Sequence, residues 1–189
     1  MSEAPVQIRT ITMQARRVGD ATLEVTGRLV DDRPRGAGAG WFGASTGSII
    51  HDMRVTLRVR HPDLVVTGVA AEMVSHPYTL CPSAIEPLQQ LVGLSVARGF
   101  TRAVNERFGR QLGCAHVTAL IQAMAPVVRQ AAGPAFHDEA ALPRLGGAPD
   151  EGWFVNSCQA WKEGGLLHQR LAAGDLEGLT ALSARPPRS

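Results

Sequence analysis

The sequence predicts an α+β protein: an antiparallel sheet of about four strands in the N-terminal half, covered by helices from the C-terminal half. Three observations carry this. Period-two alternation dominates up to about residue 75. The apolar spacing then turns helical from Ser83 onward. Strands come first and helices second, which is the α+β order and not the alternating order of parallel-sheet proteins.

Residues 6–17 alternate Val6, Ile8, Thr10 and Thr12 against Gln7, Arg9, Ile11 and Met13, and read as a first strand. Gly19-Asp20 signals a turn. Residues 21–31 form a second strand with Leu23, Val25, Gly27 and Leu29 on one face, so the pair is a hairpin with one apolar side. Residues 31–48 are rich in glycine and carry Trp41-Phe42; a connection this long suggests a functional loop whose aromatic pair folds over a site or anchors the loop. The third strand is the clearest, with Met53, Val55, Leu57 and Val59 facing one way and Arg54, Thr56, Arg58 and Arg60 the other over residues 51–60. His61-Pro62-Asp63 turns the chain into a fourth strand over residues 64–75.

Helical spacing begins at Ser83 with Ile85, Leu88, Leu91, Val96 and Phe100, and Ser83-x-x-Glu86 has the capping-box pattern. Pro87, Gly93 and Gly99 interrupt this run, and a second segment covers about 101–108. A longer helix is expected from Cys114 or Ala115 to Ala132, kinked or split at Pro126. Residues 133–152 read as a Gly/Pro-rich linker. Asn156 or Ser157 caps a helix to about Leu171, and Asp175 caps a last one to Ala184. The whole of 1–189 is expected to be one α+β domain: strands over 5–75, helices over 83–132, linker over 133–152 and C-terminal helices over 153–184.

Composition narrows the function classes. A formal net charge of +2 and 5% aromatic residues give neither the field nor the stacking surface of a nucleic-acid binder. No apolar run approaches the about 18 residues of a membrane span. Three cysteines without a pairing pattern fit a reducing compartment. Together with an N-terminus lacking a basic and apolar leader pattern, they point to the cytoplasm. The expected partners are therefore a small-molecule substrate or a sulfur- or metal-transfer protein, with no nucleic acid and no membrane.

The chemistry gathers between Ile49 and His116. His51-Asp52 opens the third strand, where strict alternation sends the two side chains to opposite faces. Cys81 precedes Pro82 at an expected helix start, where free amides stabilise a thiolate. Cys114 belongs to the core with Val117 and Ile121 if the helix includes it; if the helix starts after it, Cys114 and His116 turn toward one point beyond the helix end. His51, Asp52, Cys81, Cys114 and His116 thus make a candidate metal set, suited to zinc or alternatively to iron with mixed ligands. The same residues allow a metal-free enzyme, with Cys81 as nucleophile or His51 and Asp52 as an acid–base pair. In a third reading the protein is a non-catalytic binder that grips an anionic partner with the arginine face of 54–60. His76 and Tyr78 are lesser candidates near Cys81, while Cys158 suits packing beside Trp161.

Ile50-His51-Asp52-Met53, Pro77-Tyr78-x-x-Cys81 and Gly113-Cys114-x-His116, in that order, resemble the bacterial family known as domain of unknown function 2889, over roughly residues 8–170. That resemblance implies no activity. Residues 49–124 also resemble, more distantly, a U-type iron–sulfur scaffold or zinc-dependent sulfur acceptor. Cys81 would match that family's middle cysteine, Cys114-Ala115 its last, and Asp52 its aspartate. The family's first cysteine is absent, with His51 standing nearby, and its Gly-Cys-Ser-Ile-Ser segment is not reproduced. The resemblance implies a metal or iron–sulfur cluster bound at these positions.

Overall fold

The computed structural model describes residues 5–34, 48–136 and 155–183. Chain contacts group into two units, 1–136 and 137–189. The first contains an antiparallel sheet of β1 (Ile8–Arg17), β2 (Thr22–Asp32), β3 (Ile49–Arg60) and β4 (Val65–Ser75), in that spatial order. The expected α+β architecture is therefore the observed one, with each strand within two residues of its predicted start.

One face of the sheet is the core. Leu23, Val25 and Leu29 of β2 and Met53, Val55, Leu57 and Val59 of β3 are buried, as the alternation requires. They pack under α2 (Ala115–Phe136), which contributes Val117, Leu120, Ile121, Met124 and Val128. Gly27 faces this helix across little space: a Cβ there would stand 3.0 Å from Leu120 Cδ1 and 3.3 Å from Met124 Sδ. Helix α1 (Phe100–Phe108) flanks α2, with Phe100, Val104 and Phe108 buried and Gln122 Nε2 donating to Asn105 Oδ1 at 2.6 Å.

Two helical expectations in this unit differ from what forms. The run from Ser83 becomes two 3₁₀ turns, Cys81–Ala84 and Glu86–Leu91, each with a proline in its first two positions. Pro82 and Pro87 supply no N–H to an α-helical ladder, so the chain closes only short turns. Ser83 does not cap a helix; its hydroxyl donates to the Leu80 carbonyl at 2.8 Å. Conversely, α2 continues through Pro126, which sits on the exposed side of the helix where the carbonyl it leaves unpaired can be hydrated. The helix also extends through residues 133–136, the start of the expected linker.

The second unit has two short described helices, α3 (Leu166–Ala172) and α4 (Leu176–Ala181). The helix expected from Asn156 or Ser157 starts only after Gly164-Gly165. Asp175 does cap α4, with Oδ1 accepting from the Gly178 N–H at 2.7 Å. Trp41-Phe42 and all of the 137–152 stretch lie outside the described residues.

Candidate metal centre

The end of the core face where β2 leaves the sheet is polar. Continuing the buried parity of Leu23, Val25, Gly27 and Leu29 brings Asp31 onto the same face, fully buried. Arg9 of β1 and His51 of β3 stand directly opposite it on the neighbouring strands. The three side chains make one row across the sheet. Arg9 grips the carboxylate in two places, Nε to Oδ1 at 2.7 Å and Nη2 to Oδ2 at 2.8 Å. His51 Nδ1 lies 2.9 Å from Oδ2.

Helix α2 closes the row from above. It begins at Ala115, and the Cys114 carbonyl accepts from the Thr118 N–H at 2.9 Å, so Cys114 is the residue that precedes the helix. His116 in the first turn then reaches down to Asp31, with Nε2 3.5 Å from Oδ2. Its ring packs on that of His51, with centroids 3.8 Å apart and planes inclined by 31°. Asp31, His51 and His116 each offer one ligand atom, and these all lie within 4.8 Å of one another. The His51 side chain is 13% exposed and that of His116 28%, so solvent reaches the centre from the His116 side.

Ionisation follows from this packing. Burial alone would push the Asp31 carboxyl up, but the Arg9 guanidinium and the bond to His51 outweigh it, holding Asp31 below its ordinary value. Burial dominates at His51 and lowers its pKa despite the facing carboxylate, with the Arg9 and Arg33 charges acting in the same direction. His51 is accordingly neutral near pH 7, when its Nδ1–H can donate to Asp31.

Cys114 stands on the far side of the His116 ring, with Sγ 3.7 Å from Nδ1. Burial opposes its ionisation. The His116 contact and the amides of Val117 and His116 prevail, and the thiol is lowered overall. Cys114 and Cys81 line one groove with Tyr78, Leu80 and Leu112. All three cysteines are free.

Asp52 is elsewhere. Alternation along β3 sends it to the open face of the sheet, where Arg28 holds it with bonds of 2.8 and 2.6 Å and lowers its pKa. Asp52, Cys81 and Cys114, the positions matched to a U-type scaffold, are therefore divided between the two faces of the sheet. The arginines of the open face are matched: Arg54 to Glu72 at 2.8 Å, Arg58 to Glu24 at 3.3 Å and Arg60 to Asp63 at 2.6 Å. His76 Nδ1 is occupied by the Tyr78 carbonyl at 2.8 Å. Cys158 is exposed in the second unit.

Sequence reasoning brought His51, His116 and Cys114 to this neighbourhood and missed Asp31 and Arg9. A signal for Asp31 existed: it is an acid on the parity of an apolar strand face, where a charge requires a partner. Arg9 had only the matching parity of β1.

No curated protein and no solved structure matches the chain. No described helix is long and apolar enough to cross a membrane. The model of one family, described as protein of unknown function (DUF2889), matches residues 7–130, which include the whole sheet, α1, and every residue of the Asp31 centre, and the chain belongs to that family.

Proposed function

We propose that the protein binds one divalent metal, zinc before iron, through Asp31, His51 and His116, and acts as a metal-dependent enzyme on a small organic molecule. The observation that carries this is the meeting of a buried carboxylate and two imidazoles from three separate elements within 4.8 Å. Zinc takes nitrogen and oxygen at about 2.0–2.2 Å, which sets tetrahedral ligand atoms about 3.3–3.6 Å apart. The Asp31 Oδ2 to His116 Nε2 distance is 3.5 Å, while the 2.9 Å from Oδ2 to His51 Nδ1 would open slightly as the metal replaces the shared proton. Three protein ligands and a side open to solvent leave a coordination position for water or substrate, the arrangement of catalytic rather than structural zinc. An iron–sulfur cluster is disfavoured because this set has no thiolate.

Titration of chelator-stripped protein with Zn²⁺ and Co²⁺ tests the reading. One equivalent should bind, and the cobalt form should lack a strong thiolate-to-metal charge-transfer band. A strong band would move the site to Cys81 and Cys114. No stoichiometric uptake by wild-type protein would sink the metal reading altogether.

A second reading is supported by the 3.7 Å contact between Cys114 Sγ and His116 Nδ1 beside a groove. There Cys114 is a nucleophile, His116 its base and Asp31 the group that orients the imidazole. A covalent acyl adduct at Cys114 after reaction of metal-free protein with p-nitrophenyl acetate, lost in His116→Gln, would favour it. Acylation no faster at Cys114 than at the exposed Cys158 would count against it.

A further inference from the structure

We propose that the groove beside this centre binds a small, uncharged, largely apolar molecule and presents it to the Cys114–His116 edge. As the substrate subsite of the metal centre, the inference rests on the reading above. As a binding groove, it rests on its own walls.

The groove runs between the segment that follows β4 and the turn between α1 and α2, and measures about 430 Å³. That is the size of a site for a small organic ligand, too small for a docked helix. Its walls include Tyr78, Leu80, Cys81, Pro87, Leu112 and Cys114, and no lining side chain carries a formal charge. A charged ligand would lose hydration there without gaining a counter-ion. Three of the apolar walls are open to solvent: Leu80 is 79% exposed, Leu112 54% and Tyr78 51%. The open face of the sheet differs, carrying arginine–carboxylate pairs. The groove is also continuous with the chemistry. Cys114 is at once a wall of the groove and the neighbour of His116, whose opposite nitrogen faces Asp31. A ligand lying against Cys114 is therefore one side chain away from the metal ligands.

The test compares two neutral electrophiles, N-methylmaleimide and N-phenylmaleimide, on chelator-treated full-length protein, with alkylation followed at each cysteine by peptide mass spectrometry. Cys158, exposed in the other unit, is the internal reference. An apolar groove should raise the phenyl-to-methyl rate ratio at Cys81 and Cys114 about tenfold above that at Cys158, the gain expected from burying roughly two methylene equivalents. Leu80→Glu and Leu112→Glu change exposed side chains. Each should bring the ratio down to the Cys158 value without lowering the melting temperature. Equal ratios at the three cysteines, or selectivity that survives both glutamate variants, would overturn the proposal. So would slow alkylation released by dilution together with a dimer in sedimentation, because the groove would then be covered by a second copy. No metal is present in this assay, so its failure and the failure of the metal titration are separate results.

Discussion

Asp31 and His51 stand directly opposite each other on adjacent strands, bridged by 2.9 Å from Oδ2 to Nδ1 on the covered face of the sheet. Asp52, one residue along from His51, is bound by Arg28 on the other face. The two aspartates thus offer a matched comparison. Asp31→Asn should reduce metal affinity by at least about tenfold, since one of three ligands is lost. Asp52→Asn should leave affinity within about twofold. Zinc titration calorimetry on both variants decides this, and equal losses in the two would argue against Asp31 as a ligand.

Arg9 sets two quantities against each other. It supplies two of the bonds that compensate the buried Asp31 carboxylate, and its positive charge repels a cation at the same oxygens. Arg9→Gln should therefore destabilise the metal-free protein, by about 1–2 kcal/mol given that Arg9 is partly exposed. The same change should tighten zinc binding. Urea unfolding and zinc titration of one preparation measure both signs. Weaker zinc binding in a variant that still unfolds cooperatively would mean that Arg9 organises the site more than it opposes the ion.

Acid should destabilise the metal-free protein in two stages. The pKa of His51 is lower in the folded state, so the unfolded chain binds its proton first. Stability is lost as pH falls through the ordinary histidine value of about 6.5. Asp31 is also held down, so its contribution is complete above the ordinary carboxylate value of about 3.9 and disappears as pH falls through its folded value. Urea unfolding of chelated protein, from pH 7.5 down past the ordinary carboxylate value of about 3.9, should show both stages. His51→Gln should remove the upper one, and an unchanged profile in that variant would assign the loss to another group.

The sheet could be read from the sequence because each strand has one buried face, and alternation then fixes strand position and facing together. The same rule correctly set His51 and Asp52 on opposite faces. What it could not supply was the partner of His51. Asp31 is 20 residues away, and pairing it with His51 depends on the β2–β3 register, which shifts between Asp31 and Asp32. The helical spacing after Ser83 misled because periodicity counts apolar residues and ignores the missing N–H groups of Pro82 and Pro87. For Cys114 the alternatives differed by a single residue in the helix start. Its carbonyl bond to Thr118 places it just outside α2, leaving the thiol beside His116 and along the groove.

Gly27 ties the fold to the site. It is the one position on the buried stripe of β2 without a side chain, and Leu120 and Met124 of α2 fill the space above it. Both are fully buried and hemmed in by the core, so a methyl group at position 27 cannot be accommodated by a simple rotation into solvent. The better strand propensity of alanine offers about 0.5–1 kcal/mol in the other direction, against about 1–3 kcal/mol for overpacking. Gly27→Ala should therefore destabilise by about 1 kcal/mol net. Leu120 is one helical turn beyond His116, so lifting α2 at this point also pulls the imidazole away from Asp31, and zinc affinity should fall in the same variant. Leu120→Val removes the atom that the new methyl would meet. Combined with Gly27→Ala it should recover part of both losses, with a coupling above about 0.5 kcal/mol in a double-mutant cycle. Strict additivity in stability and no change in zinc affinity would show that the helix does not depend on this contact for its height above the sheet.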